Sequence, residues 1–245
     1  MARKRKGNLL LKRIIGLFAE ERRGKVLDLG CAAGHYSIEL HKLGFDVTSL
    51  DVTSGFKYRD QIRFIQHDGN GPFPFKDGEF DYILLAEVIE HIRAPHPFLK
   101  EIRRVLKANG ALVLSTPNIL SLKSRMRYLF EGSYEYFREP PLDHEQYNKK
   151  VGIDVSQIHV IPYRYHELEF LLYESGFSIK EIETSLYESR GLSILLPIIW
   201  FHLNSKARRS IKKGGIDYSR VNRVILKKEI LFGRHLIIKA NKMLA

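Results

Sequence analysis

The sequence predicts an α/β fold: a doubly wound, Rossmann-like sheet of seven strands with helices on both faces. Three observations lead there. Short apolar runs alternate with amphipathic segments from residue 25 to residue 177. A glycine-bounded turn, Gly30-Cys31-Ala32-Ala33-Gly34, follows the first run and opens a helix. An acid, Asp51, ends the second run about 20 residues further on, where nucleotide-binding units place one. With 44% hydrophobic residues among 245, the chain can bury a sizeable core, which excludes a wholly disordered basic protein.

The elements follow in order. Leu10, Ile14, Leu17 and Phe18 recur at helical spacing, so 8–22 is predicted to be an amphipathic helix ending near Gly24. Residues 25–29 read as the first strand, and the helix after the glycine turn runs to Leu43, where Gly44 stops it. Residues 46–50, 63–66 and 80–85 are the next three strands, and Pro95 starts a helix to Lys107. Residues 111–115 form a fifth strand. A helix over 118–130 and a loop rich in proline and aromatic residues lead to 160. Another helix spans 164–175 before Gly176, and 177–186 and 229–240 are strands that would close the sheet.

Charge is unevenly placed. The formal net charge is +12, from 40 Lys and Arg against 28 Asp and Glu. Residues 1–25 carry +7, residues 204–228 carry +8 and residues 229–245 carry +2, so 26–203 carries −5. Two basic flanks on a mildly acidic centre do not describe a uniformly basic nucleic-acid groove. They would attract phosphate, in anionic lipid or in RNA. The single cysteine, Cys31, excludes an intramolecular disulfide framework and fits a reducing, cytoplasmic setting. The basic N-terminus is followed by Leu9 to Leu11 and then Lys12 and Arg13, which is not a secretory signal.

Glycines after a strand let the backbone approach a ligand, and the following helix N-terminus presents free N–H groups. Asp51 is placed to accept both hydroxyls of a ribose. The turn reads G-x-x-x-G and lacks the dinucleotide fingerprint, which leaves another adenosine cofactor. Together with His67-Asp68-Gly69 through Pro72 to Asp81, Phe98 to Gly110, and Ser115-Thr116-Pro117-Asn118, these motifs occur in register from Val26 to about Phe177.

In that register the chain resembles the class I S-adenosylmethionine-dependent methyltransferases. The resemblance implies that Gly30 and Gly34 cradle the methionine part of S-adenosylmethionine, with Cys31 and Ala32 between them. Asp51 would hold the ribose, and Asp68 with Gly69 the adenine. Ala32 stands where many members carry glycine. Asp28 either contacts the cofactor or orients the loop backbone. The implied domains are a basic N-terminal helix over 1–24, the cofactor-binding domain over 25–186 and 229–245, and an insertion over 187–228. The insertion and 118–160 would cap the acceptor side.

Glu87, Glu90 and His91 follow the fourth strand at i, i+3 and i+4. If they turn helically, all three face one way and can share a cation, or Glu90-His91 can simply brace the next helix. His159 is a candidate fourth ligand. The element resembles that of two branches of the family, the ubiquinone-biosynthesis O-methyltransferases and the small-RNA 3′-terminal 2′-O-methyltransferases. Their likeness implies a divalent ion such as Mg²⁺ or Mn²⁺ on Glu87, Glu90, His91 and His159. Glu87 would also border the cofactor. Without a metal, His91 is the nearest general base, with His144 and His159 behind it.

Residues 191–203 are uncharged, interrupted by Pro197, and too short to span a bilayer. Followed at once by the +8 segment, they have the composition of an interfacial membrane segment or of a buried packing helix. The expected function is O-methylation of a hydroxyl on a small or lipid-linked acceptor, on the cytoplasmic face of an anionic membrane. RNA 3′-terminal 2′-O-methylation is the second expectation, and a non-catalytic cofactor-binding scaffold the third.

Overall fold

Alternating apolar runs at this spacing can bury themselves only as a sheet covered on both faces, and the computed structural model has that arrangement. It describes residues 2–69, 71–137, 161–188, 190–212 and 219–244. The strands are β1 (Lys25–Leu29), β2 (Asp46–Asp51), β3 (Arg63–Gln66), β4 (Phe80–Ala86), β5 (Leu106–Pro117), β6 (Phe177–Glu183) and β7 (His235–Lys242). They form one sheet in the order β3-β2-β1-β4-β5-β7-β6. The first five strands pair in parallel, and β7 enters antiparallel between β5 and β6.

The helices are α1 (Ala2–Ala19), α2 (His35–Lys42), α3 (Pro95–Val105), α4 (Leu122–Glu131), α5 (Tyr165–Glu174), α6 (Leu196–Lys212), α7 (Ser219–Ile225) and α8 (Lys228–Phe232). Alternate residues of the central strands serve opposite faces. Leu85, Leu112 and Leu114 join Phe98, Leu99 and Ile102 of α3 and Leu168 and Leu172 of α5. Leu84 and Val113 join Ile14 and Phe18 of α1 and Ile38 and Leu40 of α2. Because these strands are covered twice, they read as continuous apolar runs rather than alternating ones.

Phe18 anchors α1. Its ring meets those of Phe45 and Tyr82 edge-on at centroid distances of 5.7 and 5.8 Å. Glu21, just past the helix, accepts the Tyr82 hydroxyl at 3.1 Å and the Lys239 ammonium. The helix runs from Ala2 to Ala19 rather than over 8–22. Arg23 folds back to donate to the carbonyls of Phe18, Ala19 and Glu21, which ends the helix a turn earlier than Gly24 would.

The expected strand over 229–240 is corrected. Residues 228–232 form α8, and β7 starts only at His235. The cause is Asn118, buried directly after β5. Its side-chain amide spans the carbonyls of Glu229, Ile230 and Gly233 at 3.2, 2.9 and 2.8 Å, and its Oδ1 accepts from Leu120 N–H at 3.1 Å. Those carbonyls therefore cannot join a ladder. Asn118→Ala removes the donors from buried carbonyls and is expected to cost about 2–3 kcal/mol. Urea unfolding should show a lower midpoint at an unchanged slope.

Candidate active site

The chain leaves β1 through a left-handed turn. Gly30, Ala32 and Gly34 have φ of +73°, +45° and +84°. Gly30 N–H donates to Leu50 O at 2.8 Å, and Ala32 N–H donates to Asp51 Oδ2 at 2.7 Å. A Cβ on Gly30 would lie 2.4 Å from Val88 Cγ2, and one on Gly34 would lie 2.5 Å from the Phe56 ring. Both positions thus require glycine for backbone and for space. Beyond Gly34, α2 points its unpaired N-terminal N–H groups over the carboxyl ends of the strands.

Three acids surround this turn differently. Asp28 is 1% exposed and accepts the Ser37 hydroxyl at 2.5 Å, and Ser49 donates to Ser37 Oγ at 2.9 Å. That chain braces α2 against β1 and β2, and burial pushes the Asp28 carboxyl up to about 7. Asp51 ends β2, where its Oδ1 accepts Thr53 N–H and Oγ–H at 2.7 and 2.8 Å. With Ala32 N–H on Oδ2, a carboxylate still has a lone-pair direction left for a ligand hydroxyl. Asp68, by contrast, has a largely exposed side chain beyond β3. Next to it, His67 Nδ1 accepts Gly69 N–H at 3.0 Å. Gly69, Pro72, Ile92, Phe98 and Glu101 line a cleft of about 290 Å³ on that side.

The segment after β4 departs from the helical expectation. Glu87 has φ +57°, and only Ile89–His91 make a single 3₁₀ turn. Glu87 therefore lies outside that turn and swings toward β5 and β7. Ser115 Oγ donates to its Oε1 at 2.8 Å, and His235 Nε2 lies 3.8 Å from its Oε2. Burial raises the Glu87 carboxyl to about 7. Glu90 is fully buried; burial and the nearby Glu87 hold its carboxyl well above the usual range. Among the described residues, no three His, Cys, Asp or Glu side chains converge as ligands of one ion. His159 and His144 lie outside the described residues.

Sequence reasoning missed His235, Ser185 and Arg234. His235 opens β7 opposite Pro117, and its Nδ1 is hydrogen-bonded to Ser185 Oγ at 2.6 Å. Tyr136 stacks on its ring at 5.9 Å, and the Arg234 guanidinium lies 4.9 Å from the Tyr136 ring. No local pattern marks a histidine that reaches Glu87 only when a distant strand is inserted beside β5.

A family model described as a methyltransferase domain matches residues 1–182. The chain belongs to the class I S-adenosylmethionine-dependent methyltransferase family. It is 31% identical over 102 residues to the mitochondrial ubiquinone biosynthesis O-methyltransferase of Schizosaccharomyces pombe, covering 38% of this chain and 37% of that protein. To the ubiquinone biosynthesis O-methyltransferase of Nitrosococcus oceani it is 26% identical over 153 residues, 55% of this chain and 65% of the relative. The chain thus spans between 37% and 65% of the length of these two curated relatives. Its fold is similar to that of a SAM dependent methyltransferase from Archaeoglobus fulgidus, with TM-score 0.60, 18% identity, and 99% and 95% of the two chains covered.

The family's cofactor fits the residues present. Gly30 and Gly34 expose backbone without a Cβ, Asp51 keeps acceptor capacity, and a slot lies beside Gly69, which is a donor and acceptor set that suits an adenosine cofactor. The Asp28 brace carries a pH signature. An acid raised to about 7 in the fold and near 3.9 when unfolded favours the unfolded chain as pH climbs between those values. Stability relative to Asp28→Asn should therefore fall from pH 4 to pH 7 and level off above, as read from paired denaturation curves.

Proposed function

We propose that the chain transfers a methyl group from S-adenosylmethionine to a hydroxyl oxygen on a small or lipid-linked acceptor. The observation that carries this is Glu87, a partly buried carboxylate held in a left-handed backbone at the carboxyl end of β4, beside the glycine turn. The bound cofactor supplies an electrophilic methyl on a sulfonium. The chain supplies position: Gly30 and Gly34 allow close backbone approach, Asp51 accepts the ribose hydroxyls, and Asp68 with Gly69 meets the adenine. Holding acceptor and methyl in line accounts for most of the acceleration in such a site.

Glu87, oriented by Ser115, accepts the hydroxyl proton as the oxygen–carbon bond forms and the carbon–sulfur bond breaks. Its raised affinity for protons suits that role near neutral pH. A divalent ion on Glu87, Glu90, His91 and His159 is the competing means of activating the hydroxyl. The described residues do not assemble such a set, so no step is routed through it.

The experiment is methyl transfer from labelled cofactor across acceptor pools, with and without chelator. Activity is expected to survive chelation; loss that Mn²⁺ or Mg²⁺ restores would install the ion instead. Glu87→Gln is expected to lower turnover about 10²- to 10⁴-fold with cofactor affinity nearly unchanged. Asp51→Ala should weaken cofactor binding tenfold or more by calorimetry.

We also propose that an anionic membrane surface is where the enzyme meets a lipid-linked acceptor. Among the described residues no helix is long and apolar enough to cross a membrane. Ile194, just before α6, and Ile198, Trp200 and Phe201, near its start, are nevertheless 78%, 67%, 55% and 69% exposed. The basic run from Lys206 to Lys213 follows directly in sequence. An apolar patch with a tryptophan beside lysines and arginines suits a negatively charged lipid interface. Trp200 is the sole tryptophan, so its emission reports the contact. A blue shift is expected with vesicles containing phosphatidylglycerol and none with pure phosphatidylcholine. Salt-sensitive RNA binding without that shift would assign the basic flanks to RNA.

A further inference from the structure

Three described non-glycine residues hold a left-handed backbone: Ala32, Glu87 and Tyr136. Such conformations are unfavourable and persist where the surroundings over-determine them, often at functional sites. Ala32 belongs to the cofactor turn. The other two are distant in sequence, yet both their side chains meet His235.

The imidazole of His235 is constrained on three sides. Ser185 Oγ holds Nδ1 at 2.6 Å, Tyr136 covers one face at 5.9 Å with 24° between the planes, and Glu87 Oε2 faces Nε2 at 3.8 Å. Tyr136 is itself backed by the Arg234 guanidinium, which Glu188 holds at 3.4 Å. A packing histidine needs none of this precision. The separation of 3.8 Å is too long for a hydrogen bond between Glu87 and His235. It does let one oxygen sit about 2.8 Å from each. The His235 side chain is 10% exposed and that of Glu87 is 26% exposed, so solvent reaches the pair from the carboxylate.

We propose that this gap seats the acceptor's hydroxyl oxygen, and that His235 is an acceptor-contacting residue for a phenolic hydroxyl. A phenol suits the gap because its O–H donates strongly to the facing carboxylate while its oxygen accepts from the imidazole N–H. Its ring also matches the aromatic wall that Tyr136 provides. The assignment rests on the methyl-transfer function proposed for the site. It adds a residue from β7, together with Ser185 as the group that fixes the imidazole's rotation.

The test uses 4-nitrocatechol, a chromophoric phenol, titrated by visible absorbance into the full chain loaded with S-adenosylhomocysteine. His235→Ala is expected to weaken 4-nitrocatechol tenfold or more, and His235→Gln, which keeps a donor and an acceptor, to recover part of that loss. Ser185→Ala should fall between wild type and His235→Ala. S-adenosylhomocysteine affinity should stay within about twofold throughout, and thermal unfolding identifies any variant that fails to fold; His235→Gln then carries the test. Equal 4-nitrocatechol affinity for wild type and the His235 variants overturns the assignment. Wild-type chain that binds S-adenosylhomocysteine but no 4-nitrocatechol overturns it too. Absence of S-adenosylhomocysteine binding to wild type overturns the methyl-transfer function itself, and the assignment with it.

Discussion

The Asp51 carboxylate receives the Ala32 N–H, and through that bond the end of β2 holds the turn that follows β1. A non-glycine residue at φ +45° is unfavourable by itself, so the turn keeps its shape only while something grips its middle. Asp51 does so, and Asp28 braces the following helix from below through Ser37 and Ser49. With the turn fixed, Gly30 and Gly34 leave open backbone where side chains would otherwise collide with Val88 and Phe56. The shape of the strand ends around the turn descends from that arrangement.

The acceptor side depends on a second constraint, the insertion of β7 antiparallel beside β5. Pairing of Pro117 with His235 brings a histidine from near the C-terminus to the same sheet end as Glu87. Asn118 sets where that strand begins, because its amide occupies the carbonyls that would otherwise extend the ladder toward residue 229. Local backbone strain at Glu87 and Tyr136 is thus held by long-range pairing, not by the segments that bear it. The cap joins the same system: Lys123 of α4 is paired with Glu135 and Glu188, and Glu188 with Arg234. These are partly exposed pairs, each worth little alone, that together set the orientation of Tyr136.

Residues 26–203 carry −5, and the excess of positive charge lies in the flanks. The two halves of the molecule therefore answer different demands. The sheet and its turns are fixed by backbone shape and a few buried acids. The start of α6 leaves Ile198, Trp200 and Phe201 exposed.

The sequence by itself determined the α/β alternation, the glycine turn, Asp51 and the central strands. Each of these is written in local order: apolar runs of strand length, glycines where φ must be positive, an acid at a strand end. It also named Glu87 and Glu90, but as members of a helical face, because spacing carries no signal of a residue that turns left-handed before the helix starts. The last strand was placed six residues too early for a similar reason, since the three carbonyls that exclude it are claimed by Asn118, more than a hundred positions away. Tertiary structure alone decided that Glu87 faces Ser115 and His235 rather than standing in line with His91. Parallel and antiparallel pairing between distant strands sets that juxtaposition, and no local stretch of the chain encodes it.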